Sequence, residues 1–433
     1  MSEERFDCII VGAGPAGSAA ALTLAKAGLE VLLIERGNQA GSKNMTGGRL
    51  YAHTLHKLIP NFWEEAPVER RVVKETITMM TPSGSVSLDY KSQRYNREPY
   101  NSFTVLRAQF DQWLASKAEE AGAMLATGVR VDDLLRDNQG RVTGVIAGED
   151  QMLASVVIAA DGVNSLLAQK ANLRGELKDT HVATGVKEVI ELPRQVIEDR
   201  FQLSGDEGAA QLFVGECTKG IQGGGFLYTN KNTISLGLVI TSGAMGKNKT
   251  KIADLIEAFK THPNIAPLVT GGKVVEYSAH LVPEGGLNML PTLCSDGLII
   301  AGDAAGLVLN TGYMVRGMDL AIYSGIAAAE TVIRAKEKED YSQASLKHYQ
   351  ELLKNSFVLK DLETYKNAPA FMEQTTRIFT TYPQLLDNIL YKIFTVDGTP
   401  AQHLLPMVMG ELKKNNVSIF DLARDGIKGV RAL

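Results

Sequence analysis

A short apolar run, Asp7 to Val11, leads at once into Gly12-Ala13-Gly14-Pro15-Ala16-Gly17. An Ala/Leu-rich stretch from Ser18 to Ala27 follows, and a second apolar run, Val31 to Ile34, ends in Glu35. The order is strand, glycine-rich turn, helix, strand, acid. Gly12 permits the tight turn, Gly14 lets the backbone approach a pyrophosphate, and Gly17 lets helix and strand pack closely. Pro15 suits the first helical turn, where no N–H is needed. The helix N-terminus offers unpaired N–H groups and a positive dipole end to phosphates. Glu35, 18 residues beyond Gly17, is placed to accept hydrogen bonds from a ribose, with Arg36 beside it. A lone GxGxxG is weak evidence. In this full strand–helix–strand context it predicts a dinucleotide site formed by Gly12, Gly14, Pro15, Ala16, Gly17, Glu35 and Arg36.

The rest of the chain excludes several other classes. With 433 residues it can bury a large core in two or three domains. A net charge of −4 gives no broad attraction to nucleic acid. No apolar run approaches the roughly 18 residues that span a bilayer. The acidic start, Ser2-Glu3-Glu4, enters a strand directly, so a cytoplasmic protein without a signal peptide is expected. Cys8, Cys217 and Cys294 are far apart, with no CxxC, so a cysteine-bound cluster within the chain is not expected. The seven histidines show no HExxH or comparable ligand spacing, and no metal site is expected.

Two further signatures bear on which dinucleotide is bound. Val156 to Ala160 is an apolar strand running into Asp161-Gly162, after which Asn164 and Ser165 open a short helix. Gly297 to Ala301 runs into Gly302-Asp303 among small residues, and a helical pattern begins near Arg316. In an open α/β sheet, a ligand beyond the strand C-termini meets all three turns. A long two-part cofactor needs that many contacts. The expected cofactor is FAD, with adenosine and pyrophosphate at the first turn, ribitol near Asp303, and the ring at the last helix N-terminus.

These motifs, together with Leu106-Arg107-x-x-Phe110-Asp111-x-Trp113-Leu114, resemble the flavoprotein superfamily of aromatic hydroxylases, geranylgeranyl reductases and electron-transfer-flavoprotein:quinone oxidoreductases. The resemblance covers roughly Phe6 to Arg334. Lys43 to Arg49, Gly223 to Tyr228 and Ser235 to Val239 are similar to the quinone oxidoreductase branch, and within it to the FixC-type bacterial members. The resemblance implies that Arg107 contacts the FAD pyrophosphate. It also implies that Thr46 and Gly47 lie beside the flavin ring, with Asn44 in the same segment. It implies electron transfer from an electron-transfer flavoprotein toward a quinone or a ferredoxin-like acceptor. Larger relatives carry a cluster-binding ferredoxin-like domain. This chain has no cysteine set for one, so the resemblance implies a separate ferredoxin-like iron–sulfur subunit.

The fold expected is α/β. A Rossmann-like FAD-binding domain of glutathione-reductase-2/hydroxylase type spans residues 1–85, 104–180 and 274–340. An inserted β-rich substrate or quinone domain spans 86–103 and 181–273, and a helical C-terminal region spans 341–433. Val274 to Leu281 is expected to return toward the FAD domain. In the tail, Leu385, Leu386, Ile389, Leu390, Ile393 and Phe394 share one helix face. Such a stripe is usually core. It is also a candidate docking patch for the separate subunit, or a peripheral contact with a quinone-bearing membrane.

No acid–base or nucleophile constellation stands out, and no catalytic residue is assigned. In a flavin enzyme the cofactor carries the electron chemistry. Tyr228 and Tyr313 are candidates to hydrogen-bond a quinone carbonyl; the plainer reading is a buried aromatic with a satisfied hydroxyl. The alternatives are a prenyl reductase, an aromatic monooxygenase, and a flavin-bound assembly subunit without turnover. Against the first, Gly223 to Tyr228 lacks the Trp and Phe-Pro expected there.

Overall fold

The computed structural model describes residues 5–42, 48–248 and 250–433. Two sheets organise it. The first has eight strands, and its spine is parallel. Met124–Thr127, Val31–Glu35, Arg5–Val11, Asp150–Ala159 and Leu298–Ile300 lie side by side, and Cys294–Ser295 closes the edge antiparallel. Asp133–Arg136 and Val142–Ala147 form an antiparallel flap on Asp150–Ala159.

Central parallel strands are covered on both faces, so they read as unbroken apolar runs. Cys8, Ile9 and Ile10 are accordingly fully buried. The helices Pro15–Lys26 and Met318–Glu337 cover one face together. Their approach depends on Gly325, where a Cβ would stand 2.0 Å from the Ala16 carbonyl oxygen. Helix Arg107–Glu120 packs on the same layer, burying Phe110, Leu114 and Ala118.

The second sheet has nine strands. Its order is Lys273–Pro283, Val182–Glu191, Thr233–Thr241, Gly223–Thr229, Glu207–Gly215, Val68–Met80, Ser102–Val105 and Arg49–Tyr51, with Ser85–Lys91 paired to Val68–Met80. Helices Arg194–Phe201 and Ile252–Thr261 cover one face around Ile197, Phe201, Leu236 and Phe259. The other face, with Leu212, Phe226, Tyr228 and Val239, looks into the cleft described below.

Several segments expected beside the cofactor grip lie in this second sheet. Val68–Met80 runs parallel to Glu207–Gly215. Lys273–Pro283 pairs antiparallel with Val182–Glu191, so Val274 to Leu281 does not return to the first sheet. The physical reason is range. Alternation along a strand fixes which side chains point inward, but not which distant strand supplies its hydrogen bonds.

Beyond residue 341 the chain is helical. Helices Thr381–Phe394 and Leu404–Lys414 meet around a small core of Leu385, Leu412 and Val417, and the last helix, Ile419–Ala432, packs on Ala368–Gln374. Among the described residues no helix is long and apolar enough to cross a membrane.

Candidate cofactor and redox site

A cleft of about 1820 Å³ separates the carboxyl ends of the parallel strands from the inner face of the second sheet. The glycine-rich turn forms one end. Gly12 adopts φ +104°, and a Cβ there would lie 2.3 Å from the Ala160 carbonyl oxygen. A Cβ on Gly17 would lie 1.9 Å from the Gly12 carbonyl oxygen. Both glycines are therefore required by backbone packing, as the spacing predicted. Gly14 precedes Pro15 in extended conformation, and no side chain caps the helix start. Gly12, Gly14, Pro15 and Ala16 line the cleft, so the first-turn amides remain available to a phosphate.

Glu35 is buried at the end of its strand. One carboxylate oxygen accepts the Ala13 N–H at 3.1 Å, and the other accepts the Gly37 N–H at 2.7 Å. The acid thus braces the turn and still presents lone pairs to the cleft, which Arg36 also lines.

Arg107 opens its helix and lines the same cleft. Its Nε and Nη2 donate to the two oxygens of buried Asp111, each at 2.7 Å. Burial alone would lower the Arg107 pKa, but Asp111 and Asp303 outweigh it and raise it. Burial pushes the Asp303 carboxyl up, against the pull of Arg107. Gly302, with φ +65°, holds Asp303 in place. Its N–H donates to Ser324 Oγ at 2.9 Å, and that hydroxyl donates to the Ala321 carbonyl at 2.7 Å. Ser324 carried no signal in the sequence, because its role depends on the helix Met318–Glu337 packing under a distant turn.

Asp161 and Gly162 line the cleft beside the first turn. Asp161 Oδ2 accepts the Leu167 N–H at 3.1 Å, whereas Oδ1 is buried with no partner among the described residues, and burial raises the carboxyl's pKa. A buried orphan oxygen, a glycine cradle and an uncapped helix start are what a dinucleotide would complete, so these residues fit FAD. The structure brings Gly12, Gly14, Pro15, Ala16, Glu35, Arg36, Arg107, Asp161, Gly162, Gly302 and Asp303 to one cleft. Gly17 supports it from behind. Asn44, Thr46 and Gly47 lie outside the described residues.

Of the two tyrosines, Tyr228 is buried in the cleft wall, its ring stacked on Phe226 at 5.2 Å, and burial pushes its phenol pKa up. The Tyr313 hydroxyl donates to the main-chain oxygen of Leu433 at 2.9 Å, which leaves it less suited to a substrate carbonyl. Sequence reasoning missed Arg49. It lines the cleft, forks onto Glu75 and stacks over Tyr51 at 4.5 Å. A charge pair between two distant strands leaves no local pattern. Cys8, Cys217 and Cys294 are buried thiols, and burial raises the pKa of each. Among the described residues no cluster of three or more His, Cys, Asp or Glu could hold a metal.

Fold and cleft define an FAD-dependent oxidoreductase. Residues 5–203 match a family described as an FAD binding domain, and residues 368–433 match the ETF-QO/FixC family C-terminal domain. The whole chain is 51% identical, over 433 residues and the full length of both proteins, to the "Probable electron transfer flavoprotein-quinone oxidoreductase YdiS" of Escherichia coli K12. It is equally similar, again end to end, to "Protein FixC" of Salmonella typhimurium. This chain belongs to the ETF-QO/FixC family. Among solved structures, a geranylgeranyl bacteriochlorophyll reductase-like protein from Thermoplasma acidophilum superposes with a TM-score of 0.70 at 21% identity, covering 95% of this chain and 96% of that one. The flavin-dependent brominase Bmp2 does so at 0.63 and 16%, covering 95% and 99%. At such identities they speak to fold alone.

Proposed function

We propose that this protein receives electrons from an electron-transfer flavoprotein and passes them to a quinone or to a ferredoxin-like acceptor. Bound FAD supplies the redox chemistry, because a flavin exchanges electrons singly or in pairs. The chain's own residues bind and orient it. The turn from Gly12 to Gly17 with Arg107 would hold the pyrophosphate, Glu35 a ribose, and Asp303 the ribitol.

The far end of the cleft carries this reading. Phe226 and Leu212 of the second sheet and Phe371, Met372 and Phe379 of the C-terminal region all line the cleft. That gives an apolar compartment suited to a quinone ring, walled by the part of the chain that matches the ETF-QO/FixC C-terminal family. The printed name of the relative from Escherichia coli supports the same assignment.

The ferredoxin-like subunit would dock on the helical tail. The stripe expected there divides in two. Leu385 is buried and Ile389 packs against the same small core. Ile393 and Phe394 are 42% and 79% exposed, and their sequence neighbours Tyr391 and Val396 are exposed as well. A contiguous apolar patch of this kind marks a partner site. The protein would work in the cytoplasm, at or near the inner face of the membrane that carries the quinone.

The test is anaerobic. Flavoprotein photoreduced in the absence of donor is mixed with a soluble quinone analogue, and flavin reoxidation is followed. Reoxidation within the turnover time supports the acceptor assignment. A reduced flavin that persists points to an assembly subunit. Co-expression with a ferredoxin-like protein should give a complex that Ile393→Asp or Phe394→Asp weakens without loss of FAD. Vesicle binding lost in the same variants, with no protein complex, would assign the patch to the membrane.

A further inference from the structure

A partly exposed carboxyl of the cleft has no role in the function proposed above. Glu284 follows the strand Lys273–Pro283 and lines the cleft where the second sheet, the hairpin Leu309–Arg316 and the C-terminal region meet. Its backbone N–H donates to the His181 carbonyl at 2.8 Å. Thr241 Oγ1 lies 3.1 Å from Oε2, and Asn310 Nδ2 lies 3.4 Å from Oε1. Neither oxygen has a Lys, Arg or His partner among the described residues. The fold thus holds a carboxyl in the redox cleft by neutral hydrogen bonds alone.

We propose that Glu284 delivers a proton to the quinone as it is reduced. The role rests on the quinone reading given above and deepens it. Reduction of a quinone needs two electrons and two protons. The electrons come from reduced FAD. One carbonyl oxygen takes the Glu284 proton, so the carboxyl O–H breaks as the quinol O–H forms. The other oxygen takes a proton relayed from solvent through water in the cleft, the Glu284 carboxylate is reprotonated from solvent, and the N–H proton that reduced FAD would lose on oxidation passes to solvent.

Four observations favour Glu284 over Glu35 and Asp303. Glu35 has both oxygens committed to backbone N–H groups. Asp303 sits under the influence of Arg107. Among the described residues Glu284 has no cation partner, and burial raises its pKa, so it stays protonated at a pH where an ordinary carboxyl has ionised. It also lies at the end of the cleft closed by Pro369 to Glu373, the end assigned above to the acceptor. The other titratable groups lining the cleft there include Asp179, His181, Tyr313, Glu373 and Arg316, the last paired with Asp319 and Asp361. The His181 pKa is lowered, first by burial and then by Lys178 and Arg174, with Glu373 opposing.

The conservative test is Glu284→Gln, which keeps the shape and a hydrogen-bonding carbonyl but carries no transferable proton. FAD content and reduction by light should match the parent protein. Reoxidation by a quinone analogue should slow by about 100-fold or more, the usual worth of a positioned general acid. Reoxidation by ferricyanide, which takes electrons without protons, should be unchanged. The infrared carbonyl stretch of a protonated carboxyl, present in the parent at a pH where an ordinary carboxyl has ionised, should be missing in Glu284→Gln and recovered in Glu284→Asp. Equal quinone rates in parent and variant would overturn the role of Glu284 and leave the quinone reading intact. So would an infrared spectrum without that band. A parent protein that reacts with ferricyanide but with no quinone would overturn the acceptor assignment, and this role with it.

Discussion

Replacing Glu35 by Ala should separate two functions that one carboxylate performs. In the apo protein the side chain accepts the Ala13 and Gly37 N–H groups, at 3.1 and 2.7 Å, while about nine-tenths buried. Each N–H left without a partner costs about 1–3 kcal/mol. Water entering the space would recover part of that, so a loss of about 2–4 kcal/mol in apo stability is expected. Cofactor affinity should fall separately. A ribose hydroxyl bonded to a charged acceptor is worth about 1–3 kcal/mol, which is roughly a 5- to 150-fold rise in Kd for FAD. Urea unfolding of the apo protein reads the first loss, and flavin fluorescence titration reads the second. Glu35→Gln should lie between, because a single amide oxygen cannot serve both N–H groups. An Ala variant with unchanged urea midpoint and unchanged Kd would refute the reasoning.

Further expectations rest on other parts of the fold. Gly17→Val should abolish FAD retention while the second sheet still folds, because the Cβ at 1.9 Å meets backbone that cannot move aside; FAD content after purification checks this. Arg70 is fully buried and donates to the carbonyls of Asn230, Gly205, Glu207 and Lys231. Arg70→Ala should cost about 3–5 kcal/mol in chemical unfolding, with FAD affinity per folded molecule unchanged. Acid should loosen the last helix. Burial raises the Asp425 carboxyl, but hydrogen bonds from Tyr382, Arg377 and Arg424 outweigh it and hold its pKa below the ordinary value. That contribution is fully present above the unfolded pKa of about 3.9 and is lost as pH falls through the lower folded value. Hydrogen exchange over 419–432 should therefore rise in that acid range, and should already be high at neutral pH in Asp425→Asn.

The cofactor grip was legible because its demands are local. Gly12 and Gly17 are fixed by contacts within one strand–turn–helix unit, and their spacing states the geometry. The strand-and-turn motifs at Asp161 and Gly302 were legible for the same reason. The second sheet was harder. The parallel partner of the strand Val68–Met80 lies more than a hundred residues away, and no local pattern encodes that pairing. Arg70 shows the same limit. Alternation sets it in register with buried Val68 and Val72, yet a buried arginine becomes acceptable only once four carbonyls converge on it. Glu284 had no signal at all, since its partners come from the ends of two other elements. The tail stripe was readable as amphipathic, but only the packing of Leu412 and Val417 on Leu385 decides which half is core.

The source of electrons tests the account most directly. The chain has a single GxGxxG turn, and the FAD assignment uses it. Purified flavoprotein, held anaerobic, is mixed in a stopped-flow instrument with reduced electron-transfer flavoprotein in one series and with NADH or NADPH in another. Flavin absorbance reports reduction in both. The account predicts rapid reduction by the protein donor and none on that timescale by either nicotinamide. Rapid reduction by NADH or NADPH, with no response to the protein donor, would contradict it and favour a hydroxylase-type enzyme.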